Sequence, residues 1–427
     1  MTRRLAPIPI AVFAAVLVAC SPAPDSPGTD ADPAANEEVP SALGDGHGAI
    51  PGAEEVAEPQ LHLLTVDPDG EIHHLDLLDE SVATLGTVDG VEALTTEGRY
   101  AYAVRPEAGA VTVVDSGVWT WSHIDHFHYY RAEPSILGDV TGAGGPATVS
   151  ANDAGAGIFF PDSGEAVVLA AGTLGEGSLD ERFRITGAPH DGLVVPIGNR
   201  ALVTEPDADG AAGRILALDE LGEPLGATVD CADARGTITT IVGTVIGCRD
   251  GAVLATATGD GVEFEHIPYP TEDAPRADEF RARKDRPTVA AVAGDSGDSG
   301  DSGNSSIWLL DTRNREWTLI DVGEPILQAT AVANADDHLL ALTAEGRVLV
   351  LSGETGELLA ATDQLVAESV ADPERRPGLE LTADQQRAYL NGPAEKKLFE
   401  IDFADDARIA RVFDTDAEPK FVVETGR

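Results

Sequence analysis

Three histidines fall within six residues, His123, His126 and His128, in the run SHIDHFHYY. Imidazole nitrogen and carboxylate oxygen are donor types that suit zinc, and Asp125 adds a carboxylate to the same stretch. Along a strand, residues two apart face the same way, so His126 and His128 present their imidazoles together. His123 joins them if the chain bends, and Asp125 either ligates or orients a histidine through its second nitrogen. Phe127, between the pair, is expected to point the opposite way into a core. Only 10 His occur in 427 residues, so such a cluster seldom arises by chance. Unrelated histidines on one strand are the alternative. His190, in APHDGLVVPIG, opens another apolar run and is a candidate ligand from a neighbouring element. His47, in GDGHGAI, stands alone between glycines and reads as solvated. His73 and His74 are adjacent, so on a strand they face opposite sides. His62, His266 and His338 are isolated and read as structural.

Signals for catalysis are weak. The chain has no G-x-S-x-G, no Walker loop, no dinucleotide fingerprint and no H-E-x-x-H. It therefore reads as a binding protein and not as an enzyme.

Ligands need a rigid support, and from about residue 60 the sequence supplies strands. LHLLTV, DPDG and EIHHLDL read as strand, turn, strand. HLLALTAEGRVLVLSGETGELLA reads as three strands with two tight turns, and IWLLDTRNREWTLIDV and QRAYLNGPAEKKLFEIDF repeat the style. The repeat is about 40 to 50 residues, the length of a four-stranded propeller blade. Residues 60–427 are thus expected to form one all-β domain, a β-propeller of eight blades, with seven as the alternative. The low-complexity run GDSGDSGDSGNSS at 294–306 reads as a flexible loop inside a blade. Cys231 and Cys248, with sixteen residues between them, flank two short strand-like runs, and an even pair in an exported chain reads as a disulfide.

The first residues read as an address. Arg3 and Arg4 precede an apolar run at 5–19 that ends Leu-Val-Ala-Cys. That pattern is a lipoprotein signal peptide over 1–19, with Cys20 lipidated as the mature N-terminus. Residues 20–59 are rich in Pro, Ala, Asp and Glu and read as a disordered tether. The protein is therefore expected outside the cytoplasm, held to the membrane by its lipid alone. A formal net charge of -46 argues against nucleic acid and against a polybasic membrane patch. It favours solubility and attraction of cations.

The stretch DSGVWTWSHIDHFHYYRAEPSILG at 115–138 resembles the AztD-type zinc metallochaperones. GIFFPDSGEA, APHDGLVVPIGNRALVTEP, Cys231 with GCRDG, HIPYP and the terminal FVVETGR extend the likeness over the whole folded region. The resemblance implies an exported monomeric β-propeller that binds zinc and passes it to the zinc-binding solute-binding protein of an ABC transporter. It places zinc on the 123–128 cluster and strengthens His190 as a ligand. There are departures. Family members carry a His-rich N-terminal segment where this chain has only His47. They often read His-His-Gly where this chain has His190-Asp191-Gly192. A propeller that has lost zinc and serves protein interaction is the alternative function.

Overall fold

Alternating apolar residues, broken every six or so positions by Asp, Asn and Gly, turn into short antiparallel strands. A computed structural model describes residues 48–50, 52–123, 126–259, 261–277, 279–294 and 304–427, except for the side chain of His123. Cys20, His47 and the stretch read as a signal peptide lie outside these residues, as does most of the 294–306 loop. Strand dominates, and the α-helices among the described residues, Ala171–Gly175 and Ala367–Ala371, are only five residues each. None is long and apolar enough to cross a membrane.

The strands form nine sheets among the described residues, seven of them four-stranded. Eight follow one another along the chain as meanders of sequential strands, which is propeller organisation. The hairpins fall where the turn residues put them. His62–Val66 pairs with Glu71–Asp76, and His338–Thr343 with Val348–Ser352. Apolar side chains fill the space between neighbouring sheets. Val104, Val113 and Val140 of one sheet meet Ile158 and Val167 of the next. Leu63 and Leu75 meet Tyr389 and Leu398, so the last sheet packs on the first. The C-terminal strand Phe421–Thr425 pairs with His62–Val66 and closes the first sheet with the chain's final residues. Cys231 and Cys248 are joined as a disulfide, with Cα atoms 5.1 Å apart and both residues buried.

One sequence expectation needs revision here. Residues to 59 read as tether, yet Glu54–Val56 is a strand paired with His126–Arg131. Its partner is more than seventy residues away, and nothing in local composition signals a pairing of that range.

Candidate functional site: a histidine hairpin on the propeller

The ninth sheet carries the histidines. Strands Ala110–Asp115 and Ser135–Thr141 pair directly with each other, so the chain between them is an insertion into a blade. That insertion is the hairpin Val118–His123 and His126–Arg131, with Glu54–Val56 as a third strand. Its root is anchored from several sides. Gly117 takes a positive φ of 74°, and an added Cβ there would sit 2.4 Å from Ala132 O. Trp119 is buried and stacks on Tyr130 at 5.2 Å between ring centroids. The Arg99 guanidinium lies 3.9 Å above the Trp119 ring while pairing with Asp115 at 2.7 Å. Thr120 Oγ1 donates to Gly426 O at 2.6 Å, tying the hairpin to the chain's C-terminal end.

Cross-strand register sorts the side chains onto two faces. Trp119, Trp121, His126, His128 and Tyr130 share one, since Trp121 pairs with His128 and Trp119 with Tyr130. Phe127 lies on the other, opposite Ser122. It was expected in a core, but it is 56% exposed. The alternation holds, but at the hairpin's outer end both Ser122 and Phe127 are exposed, while Thr120 nearer the root is tied to Gly426.

The two imidazoles converge. His126 Nε2 and His128 Nε2 are 2.9 Å apart, and the rings meet edge to face at 4.8 Å. Two histidine nitrogens on one tetrahedral zinc, each at about 2.0–2.1 Å, would stand about 3.3 Å apart. The observed spacing is within a few tenths of an ångström of that. Glu55 Oε1 lies 2.7 Å from His128 Nδ1. A carboxylate there accepts Nδ1–H, fixing the tautomer whose Nε2 lone pair points toward His126. Glu55 comes from the segment read as tether, so the sequence reading missed it. Its one local signal is the alternation in Glu54-Glu55-Val56, too short to stand alone. His123 pairs with His126 through its backbone. The His123 side chain and Asp125 lie outside the described residues.

His190 sits elsewhere. It is buried, with Nδ1 at 2.8 Å from Ala188 O and Nε2 at 2.8 Å from Thr204 Oγ1. The Phe159 ring meets it edge-on at 4.8 Å. Both nitrogens are thus engaged by protein groups, and neither is turned to the hairpin. Nor is His190 among the residues lining the central cavity of about 1020 Å³. Gly192 is held to glycine at this point, since a Cβ would fall 2.4 Å from His190 Nε2.

Other histidines divide as strand alternation requires. His62 and His74 share a face and are buried together, His62 Nδ1 lying 3.1 Å from His74 Nε2. Burial lowers both pKa values, with Asp76 opposing the effect at His62; His74 is brought to about 3. His73 points the other way, toward Asp67 and Glu71. Cys248, Asp250 and His266 lie close together, but the Cys248 sulfur is committed to the disulfide, which leaves an Asp250–His266 pair at 3.2 Å.

Meandering sheets with an inserted histidine hairpin define an all-β propeller. No protein-family profile matches the chain. Over 204 residues the chain is 24% identical to the zinc chaperone AztD of Citrobacter koseri, a match covering 46% of this chain and 48% of that protein. That match spans about half the length of the curated relative. Two solved structures of Citrobacter koseri AztD, one of them apo, superpose with a TM-score of 0.73. They cover 87% of this chain and 99% of their own, at 20% identity. The chain thus resembles AztD in both sequence and fold.

Proposed function

We propose that this protein is a zinc-binding metallochaperone that takes up zinc at the hairpin and delivers it to a second protein. The observation that carries the reading is the pair of Nε2 atoms 2.9 Å apart, with His128 oriented by Glu55. In this reading His126 and His128 supply two ligands, and His123, whose backbone pairs with His126, supplies a third from across the hairpin. Asp125, between them in sequence, remains a candidate. His190 stays in the core and takes no part. A carrier must release its metal, and an exposed mixed-ligand site exchanges more readily than a closed cage of thiolates. The AztD likeness supports zinc as the cargo. By the same likeness, the acceptor is the solute-binding protein of a zinc ABC transporter. The Leu-Val-Ala-Cys sequence before residue 21 supports lipid attachment at Cys20 and work outside the cytoplasm.

The test is zinc stoichiometry by metal analysis on chelated, reloaded protein. The His126→Ala/His128→Ala variant is expected to lose the hairpin's zinc, and a double variant that holds as much zinc as the parent, as tightly, removes the assignment. Transfer is tested by mixing the zinc-loaded protein with the apo solute-binding protein and measuring metal on each after separation. A parent that holds no zinc replaces the carrier with a propeller that serves protein interaction.

A further inference from the structure

A second constellation lies on a different hairpin. The turn Asp67-Pro68-Asp69-Gly70 joins His62–Val66 to Glu71–Asp76. Asp67 Oδ1 accepts the amides of Asp69 at 3.0 Å and Glu71 at 2.8 Å, so this carboxylate is fixed by its own turn. The residue is only 7% exposed. Its other oxygen, Oδ2, faces His73 Nε2 at 3.7 Å, and Glu71 Oε2 faces the same nitrogen at 3.5 Å. The topology makes this meeting unavoidable. Glu71 and His73 are two apart on one strand, and the Asp67 amide donates to Glu71 O across the turn, so all three side chains share a face.

The nitrogen at the centre is the telling atom. His73 Nε2 is buried and has no hydrogen-bond partner among the described residues. On its far side, His73 Nδ1 lies 3.4 Å from Thr84 Oγ1 on the next strand, in register with His73. The distances of 3.5 and 3.7 Å to the carboxylates are too long for hydrogen bonds. They are close to the spacing of about 3.4 Å that nitrogen and oxygen donors adopt around one tetrahedral ion at about 2.0–2.2 Å. All three donor atoms lie within 4.8 Å of one another. Two carboxylates and a nitrogen turned on a common point, with no proton shared between them, are satisfied together by a divalent cation.

We propose that Asp67, Glu71 and His73 form a second divalent-cation site, separate from the histidine hairpin and competent for zinc. Two carboxylates neutralise the ion, and three protein donors leave a position for water, so the site is open to exchange. It does not depend on the hairpin's binding zinc.

The experiment silences the hairpin first. In the His126→Ala/His128→Ala background, equilibrium dialysis against zinc is expected to show about one ion per chain, and zinc is expected to raise the melting temperature. Adding Asp67→Asn/Glu71→Gln is expected to abolish both effects. Asn at 67 keeps the oxygen that caps the turn, so the fold is retained, and circular dichroism checks this. A His73→Gln variant in the same background gives an independent readout, with cobalt(II) absorption reporting loss of a nitrogen ligand. Equal zinc binding with and without these substitutions overturns the proposal. So does absence of zinc binding in the background variant. The comparison of parent with background variant tests the hairpin, so the two readings fail separately.

Discussion

At the hairpin one carboxylate decides which nitrogen of His128 faces His126. Glu55 accepts Nδ1–H at 2.7 Å, and the Nε2 lone pair is then presented beside His126. Glu55→Gln keeps the shape but offers a neutral acceptor that can also flip and donate. Zinc affinity is expected to fall by about tenfold, the lower end of what loss of an orienting partner produces. Competition titration with a chromophoric chelator measures this, and an unchanged affinity would show that Glu55 only staples its strand to the hairpin. The contrast with His190 is instructive. As sequence, His190-Asp191-Gly192 ahead of an apolar run looked like a ligand. In the fold its nitrogens are spent on Ala188 O and Thr204 Oγ1, so it braces a core. Residue type alone does not separate these fates; burial and the partners each imidazole meets do.

Within single hairpins the sequence was highly legible, because turn and alternation are both local. The alternation after Asp67-Pro68-Asp69-Gly70 split His73 from His74, as the register shows. The same rule put Phe127 opposite the histidines. What was not legible was which faces would be covered, and what would pair from afar. Phe127 is exposed at the outer end of its hairpin, and Glu55 reached the site through a strand whose partner is residues 129–131. Neither fact is written in a window of ten residues. The cysteines were legible for a different reason, since an even pair in a chain whose first residues read as an export signal has few alternatives. Their bridge links Cys231, just ahead of strand Arg235–Thr239, to Cys248 at the end of Thr244–Cys248. Closing a loop of this size limits the unfolded chain by about 3 kcal/mol. Cys231→Ala/Cys248→Ala is therefore expected to lower the unfolding free energy by roughly that amount. Denaturant titration measures it, and a loss well under 1 kcal/mol would show that the loop is already constrained in the unfolded state.

At the scale of the whole molecule, stability rests on ring closure by the last strand, and that strand contains an ionisable group. Glu424 in Phe421–Thr425 is fully buried, and neither carboxylate oxygen has a hydrogen-bond partner among the described residues. Arg427 Nη1 is 3.3 Å from Oε2, longer than a strong charged hydrogen bond, and does not offset the burial. Burial pushes the Glu424 carboxyl up to about 7 from an ordinary 4.5, against the opposing pull of Arg427. The sign follows from proton linkage. Between these two values the folded protein holds a proton that the unfolded chain releases, so raising the pH there favours unfolding. The neutral carboxyl contributes fully below about 4.5, and its contribution is lost as pH rises through about 7, in all about 3 kcal/mol. Glu424→Gln removes the titration and keeps the shape. At about pH 8 the variant is expected to be more stable than the parent by up to that amount, with the advantage fading toward about pH 5. Urea unfolding across this range measures the difference. Parallel curves would show that Arg427 closes on Glu424 and holds the ring shut with an ion pair; converging curves place a neutral carboxyl at the seam.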